Sequence, residues 1–438
     1  MLTCKPSVDP PAPASKGTRS NVLYIVHRVP YPPDKGDRIR AFHILRYLSC
    51  RANVHLACLA DESVPEEAME ALKQHCARVA VVPLGPRSRW LRALVSVACG
   101  KTVSEGAFHT PALQKILKQW AGETAFQASL ASASSVAPYL QQGTLSEVPA
   151  VVDLVDVDSR KWLDYAEKAS GLKGWIYRTE GHRLGKLEGS LAGWARALTV
   201  VSDIEAGLLP RLGRTDTVRV VTNGVDLEYY HPTPGQPSER ASRGALAPPH
   251  TPPACVFVGA LDYLPNVDAA CWFCEEVWPG VRKRYPQAEV WLVGRRPAAR
   301  VLRLAEKEGV KVVGQVPDVR PSVRQAAVSI APLRIARGIQ NKVLEAMAMG
   351  KAVVASDAAL QGLPERAGAP VVCANTPQEW VEQISRLFAD EELREQLGRR
   401  AREYVEHRHS WERCLEPLGQ LLGLGFASEA NPPDHGQE

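Results

Sequence analysis

Long hydrophobic runs, a large excess of either charge and paired metal-type cysteine spacings are all missing from this 438-residue chain. No apolar run approaches the ~18–20 residues that a membrane-spanning helix needs. Lysine and arginine number 53 against 48 acidic residues, a net charge of +5. A dedicated nucleic-acid binder would gather far more base on one face, so no nucleic-acid partner is expected. A mild excess suits an anionic ligand or membrane surface. The ten cysteines sit among apolar neighbours, as in NVHLACLA and ACVFVG. They read as small buried hydrophobes of a reducing compartment. Cys271 and Cys274 form a CxxC inside DAACWFCEEVW, where i and i+3 share a helical face. No second Cys or His pair stands at ligand spacing, so packing rather than metal or redox chemistry is expected. The opening MLTCKPSVDPPAPASKGTRS has no apolar core. It predicts a disordered stretch over 1–20 and a cytoplasmic protein.

What is present is alternation. NVLYIVH (21–27), NVHLACLA (53–60), RVAVVPL (78–84), AVVDLV, ALTVVS and VRVVTNG read as buried strands with helical patterns between them. Such β-α-β order implies a parallel sheet covered on both faces. The stretch HPTPGQPSERASRGALAPPHTPP (231–253) breaks the pattern and reads as a linker. Alternation restarts with ACVFVG, EVWLVG, VKVVG, VSIAP, AVVAS and PVVCA. The expected organisation is an N-terminal domain over 21–230, a second over 254–408, a helix over 409–424 crossing back, and a disordered tail over 425–438. The fold class is α/β, two tandem doubly wound Rossmann-like domains facing across a cleft. In such sheets ligands bind beyond the carboxyl ends of the strands.

The most informative stretch is RGIQNKVLEAMAMGKAVVAS, 337–356. Gly338 lies between a strand and the helix NKVLEAMAMG. A helix start presents unpaired N–H groups and a positive dipole end, and glycine allows close approach to backbone. That suits a diphosphate. Glu345, within the first two turns, can accept hydrogen bonds from a ribose diol. A charge near a helix start with a glycine shaping the turn would look the same.

This stretch resembles the donor-sugar motif of family 4 retaining glycosyltransferases of the GT-B fold, in which two glutamates stand eight positions apart. Glu345 matches the second, which holds the nucleotide ribose in the family. The resemblance implies that amides from Gly338, Ile339, Gln340 and Asn341 bind the diphosphate. TVVSDIEAGLL, VTNGVDLEYYHP and SWERCLEPL also resemble the family. VVGQVPDV resembles the segment whose backbone reads the base, which implicates Gln315 and Val316. HRVPYPPDKGDRIRAFHILRYL and VVDLVDVDSRKWLDYA resemble a subgroup of sugar transferases associated with exopolysaccharide export (PEP-CTERM-type) systems. Two departures stand out. The family's first glutamate falls at Arg337, and the basic pair expected after Gly259 is absent from VGALDYLPN. Arg334, Arg337 and Lys342 are candidate substitutes for neutralising a leaving diphosphate. A solvated cation at a loop accounts for each equally simply.

In the first half, PYPPDKGDRIR follows the first strand. Gly36 permits backbone approach, Asp37 can cap the next helix, and Lys35, Arg38 and Arg40 can meet an acceptor's phosphate. DLVDVDSRKW places Asp156 and Asp158 just beyond a strand. Either can take a proton from an acceptor hydroxyl, Asp156 first, or simply cap a helix. Asp156-Val157-Asp158 is formally a DxD, but no metal is expected. His27, at the end of the first strand, is expected to be structural. RSRWLRALVSVACGK (87–101) is basic and amphipathic. It can lie on an anionic membrane or pack on a sheet with its arginines exposed.

The leading expectation is a hexosyltransferase. It moves sugar from a nucleotide donor to a glycan or polyprenyl-diphosphate-linked acceptor with retention, in exopolysaccharide biosynthesis, without a cofactor. It would be cytoplasmic or peripheral on the inner face of the plasma membrane. A nucleotide-sugar isomerase and a non-catalytic binder are the competing readings.

Overall fold

Residues 19–34, 36–167, 169–209, 217–232, 252–336, 338–363 and 368–425 are described by a computed structural model. Nearly all of the expected disordered N-terminus, most of the linker and nearly all of the tail lie outside the described residues. So do two candidate site residues, Lys35 and Arg337.

The first sheet has seven strands in the order β3-β2-β1-β4-β5-β6-β7. These are β1 Asn21–Val26, β2 Asn53–Ala60, β3 Arg78–Pro83, β4 Ala128–Ser132, β5 Ala150–Val155, β6 Ala197–Val200 and β7 Val218–Val220. All neighbours pair in parallel. Strands covered on both faces read as continuous apolar runs. Accordingly Val22 to Val26 and Val151 to Leu154 are buried on both faces of the sheet. Strand β4 escaped the sequence reading. Its ASLAS holds one large apolar residue, yet it occupies the centre of the sheet and is buried throughout. Small side chains leave room there for the hydroxyls of Tyr24 and Ser132, 3.0 Å apart.

The crossovers are α1 Gly36–Ser49, α2 Glu66–Lys73, α3 Pro86–Ala98, α4 Val103–Phe108, α5 Pro111–Glu123, α6 Asp158–Glu167 and α7 Gly171–Leu191. Helix α7 carries two buried glutamates, each serving another helix's first turn. Glu180 accepts from the N–H groups of Val103 (2.8 Å) and Ser104 (3.1 Å) on α4. Glu188 accepts from the Ser159 N–H on α6 (3.0 Å) and is pushed up to about 7 by burial. Each carboxylate satisfies orphan donors at the positive end of a helix.

The second sheet has six parallel strands in the order β10-β9-β8-β11-β12-β13. They are β8 Ala254–Val258, β9 Glu289–Val293, β10 Val310–Gly314, β11 Val328–Ala331, β12 Ala352–Ala355 and β13 Val372–Cys373. In both sheets the order reverses beside the first strand, between β1 and β4 and between β8 and β11. Those are the points where doubly wound sheets open a crevice. The core of the second sheet centres on Phe273, Trp278 and Trp380. Cys271 and Cys274 are buried in it with free thiols, and burial pushes Cys274 up to about 12. They pack.

The chain divides into two compact units. Among the described residues, one holds those up to Val200 with Ala206–Val221 and those from Leu415; the other holds Val201–Glu205 and Thr222–Cys414. The expected boundary at 230 is therefore corrected. The segment Thr222–Tyr230 belongs to the second unit because its backbone is tied there. Val225 N–H donates to His409 O (2.7 Å), and Arg402 Nη1 reaches the carbonyls of Leu227 (3.3 Å) and Tyr230 (2.7 Å). From Leu415 the chain lies with the first unit, where Gly419 abuts the Tyr47 ring with no space for a Cβ.

Candidate functional site

In the second unit, the loop after β11 leads into the helix Asn341–Ala348. Gly338 adopts φ 58°, a left-handed conformation that glycine takes at no steric cost. Gly338 and Ile339 are buried and Gln340 is half-buried. The Gln340 side chain does not cap this helix, and a helix start is the positive end of the dipole, which suits an anion. Asn223, from NGVD, donates to Asn341 Oδ1 (3.3 Å) and ties that motif to the helix start.

Val343, Leu344 and Met347 face the core. Lys342 and Glu345 therefore share another side. Burial pushes the Glu345 carboxyl up to about 7, while the Tyr230 hydroxyl, hydrogen-bonded to it, and the Lys342 charge act the other way. Tyr230 was not foreseen. Its backbone is fixed by the Asp226 carbonyl (2.8 Å) and by Arg402, which also reaches Ala348 O (2.8 Å) in the last turn of the same helix. Arg402 thus ties the end of the helix to the segment that carries Tyr230.

Lys342 does not project into solvent as a loop cation would. Its Nζ donates to Asn266 Oδ1 (2.5 Å) and lies 4.7 Å from the Phe257 ring centroid. Asn266 in turn donates to Ala260 O (2.9 Å) in the loop after β8. A Cβ on Gly259 would stand 3.2 Å from Nζ and 2.8 Å from Asn266 Nδ2. A side chain at 259 would therefore crowd Asn266 and Lys342 beside the switch point between β8 and β11. Burial pushes Lys342 down to about 8, with Glu345 opposing. A cation from the helix therefore lies beside Gly259, where the sequence after that glycine has none. At the other end of that helix, burial beside Arg394 and Arg324 likewise pushes Lys351 down to about 8.

Arg334 is not a second cation of this cluster. It makes a two-pronged pair with Asp268, Nε to Oδ2 at 3.0 Å, and is half-exposed. Gln315 is exposed and Val316 half-buried just past β10, an edge strand of this sheet. Val316 packs against a small cluster around Val256 and Val293.

In the first unit, His27 Nδ1 lies 3.3 Å from Ser132 O, which joins β1 to β4 at their switch point. Asp37 does not cap a helix through its side chain. It pairs with Arg28 (2.9 Å) and lies 3.7 Å from His27 Nε2. Burial opposes its ionisation, but His27 and Arg28 outweigh that and hold the carboxyl below the usual range. Gly36 is the first residue of α1 and is exposed. Arg38 is paired with Asp34 (3.2 Å) and Glu62.

Arg40 is a correction. It makes two 2.8 Å bonds to Asp153, with side chains 1% and 0% exposed, and Thr199 also donates to Asp153 (2.7 Å). This is a buried pair inside the sheet, closed to any phosphate.

Asp156 stands at the carboxyl end of β5, half-buried. The preceding Val155 has φ 68°, and Asp156 N–H donates back to Leu154 O (2.9 Å). That is a γ-turn on a β-branched residue, strain of about 1–3 kcal/mol that commonly marks a functional position. Asp158 opens α6, with Lys161 3.9 Å away. Among the described residues, no group of three or more His, Cys, Asp or Glu could hold a metal ion.

Residues 252–390 match the family model for glycosyl transferases group 1. That segment contains Gly259, Asn266, Gly338, Lys342 and Glu345 but not Asn223, Tyr230 or Arg402. A stretch of 255 residues is 29% identical to a D-inositol 3-phosphate glycosyltransferase of Saccharomonospora viridis, covering 53% of this chain and 57% of that one. The chain thus spans about half the length of the curated relatives it matches. Among solved structures, sucrose-phosphate synthase from Thermosynechococcus elongatus has a TM-score of 0.65 at 18% identity, covering 92% of this chain and 98% of that one. HepE of Anabaena, solved with UDP, has a TM-score of 0.63 at 17% identity, covering 92% and 99%. The two parallel-sheet domains are those of GT-B glycosyltransferase structures. At these identities the likeness speaks to fold alone, and GT-B is the fold expected from the motifs.

Proposed function

We propose that this protein is a glycosyltransferase that moves a sugar from a nucleoside-diphosphate donor to an acceptor hydroxyl. The observation that carries it is the uncapped helix start at Asn341, flanked by Lys342 and Glu345 at the switch point of the second sheet. The match to the group 1 family and the UDP bound by HepE support the same reading.

In this reading the anomeric C–O bond breaks and its electron pair leaves on the diphosphate. The helix-start amides and the Lys342 ammonium stabilise that charge, with Arg337, next to Gly338 in sequence, as a further cation. Glu345, held by Tyr230, accepts the ribose hydroxyls. The acceptor oxygen bonds to the anomeric carbon from the leaving-group side, which gives retention. Its proton passes to a carboxylate, with Asp156 as first candidate and Asp158 as second. In the same reading Gln315 and Val316 meet the base, and Gly36 and Arg38 meet the acceptor. We assign the donor as a hexose nucleotide, and the acceptor as a glycan or polyprenyl-diphosphate-linked lipid of exopolysaccharide synthesis. The setting is the cytoplasmic face of the plasma membrane, and no metal or cofactor takes part.

A thermal-shift series with UDP, GDP and ADP, with and without Mg²⁺, tests the donor site. A ligand at 100 times its dissociation constant stabilises by about 2.7 kcal/mol. One diphosphate should raise the melting temperature without Mg²⁺. Silence with all three would overturn the assignment.

A further inference from the structure

We infer that α3 and α7 together form a docking surface for an anionic lipid bilayer. Both helices are built inside out. On α3, Trp90, Leu91, Leu94 and Val95 are 56–69% exposed and fall on one face by their i, i+1, i+4, i+5 spacing, while Ala93 and Ser96 face inward. On α7, Leu172, Trp175 and Ile176 are 43–73% exposed, while Gly174, Glu180, Gly181, Leu184 and Glu188 are buried. Of the twelve exposed large apolar side chains among the described residues, these seven lie on two helices. Scattered exposed apolar residues need no explanation, but a helix that buries glycine and glutamate and exposes tryptophan does.

The two helices belong to one assembly. Arg183 of α7 donates to Val97 O (3.0 Å) at the end of α3 and to Lys101 O (2.8 Å) just beyond it.

Charge selects the occupant. Helix α3 contains no acidic residue, and its Arg89 is turned to Asp61 (3.8 Å) and the Phe108 ring. Helix α7 contains Lys173, Arg178, Arg183 and Lys186, and its two acids are the buried glutamates engaged with α4 and α6. The exposed charges of α7 are therefore all positive. Lys173, Arg178 and Lys186 on α7 and Lys101 just beyond α3 are exposed. Apolar side chains with two tryptophans, framed by cations, match the boundary between acyl chains and anionic headgroups. No described helix is long and apolar enough to cross a membrane, so the contact lies in the interfacial plane. The inference rests on the glycosyltransferase reading for its purpose, presenting the enzyme to a lipid-linked acceptor, but not for its evidence.

The test is flotation of the full chain with phosphatidylglycerol vesicles and with phosphatidylcholine vesicles. The protein should float with the first only and be released as salt is raised, because screening weakens headgroup attraction. Trp90→Glu/Leu94→Glu and, separately, Leu172→Glu/Trp175→Glu should each cut the bound fraction about tenfold or more. Both variants should keep the wild-type circular-dichroism melt and nucleotide shift. Three results would overturn the inference: no flotation with phosphatidylglycerol, flotation indifferent to both variants, or a lipid-free dimer that either variant dissolves. Flotation without any nucleotide shift would leave the surface standing and remove the transferase reading instead.

Discussion

Glu345 carries its charge at a cost to the folded chain. Its carboxyl has a reference value of 4.5 and is pushed up to about 7 by burial, so the charged form is disfavoured in the folded chain. A folded value above the unfolded one means that its stabilising contribution is whole below pH 4.5 and lost as pH rises through about 7. Glu345→Gln should therefore raise the melting temperature at pH 8, by the equivalent of about 1–2 kcal/mol, and leave it unchanged near pH 4. The gain is held down because Lys342 loses a compensating charge. The same variant should bind its nucleotide about tenfold or more weakly, the worth of a hydrogen bond to a charged group. Calorimetric titration and pH-resolved melts read both. A variant less stable at pH 8, or one that binds as wild type does, would refute the assigned role.

Among the elements, the Arg40–Asp153 pair joins α1 to β5 and, through Thr199, to β6. Removing one partner of a buried pair strands the other charge. Asp153→Asn should cost about 3–5 kcal/mol in urea unfolding, and Arg40→Met/Asp153→Leu should recover most of it. A single variant costing under about 1 kcal/mol would contradict the account. This pair also shows why Arg40 was misjudged from sequence. A cation after a glycine-bearing loop has the pattern of a phosphate ligand, and its partner lies 113 positions away. Strand β4 was hidden for a related reason, since ASLAS lacks the branched residues that signal a buried strand. The other buried strands were legible because a sheet covered on both faces writes continuous apolar runs. Gly338, Lys342 and Glu345 were legible because a helix start and its first two turns are local. Tyr230, Asn266 and Arg402 reach them from distant segments, and no spacing announces that.

At the scale of the whole molecule, the composition of the second unit follows from its hydrogen bonds rather than from its strands. A fragment spanning 222–414 should fold and keep the nucleotide-induced shift. One spanning 231–414 loses the Val225–His409 bond, two of the carbonyls held by Arg402 and the Tyr230 hydroxyl. It should melt about 10 °C or more lower and show no shift. Equal melting of the two fragments would return the boundary to the linker. The helix Asn341–Ala348 has a further consequence, one for covalent chemistry. An amine poised at about 8 has a sizeable neutral, nucleophilic fraction near neutral pH, and both Lys342 and Lys351 are so poised at opposite ends of that helix. On the proposed donor site, bound nucleotide should slow acylation of Lys342 and leave that of Lys351 unchanged, a ratio that peptide mass spectrometry would read.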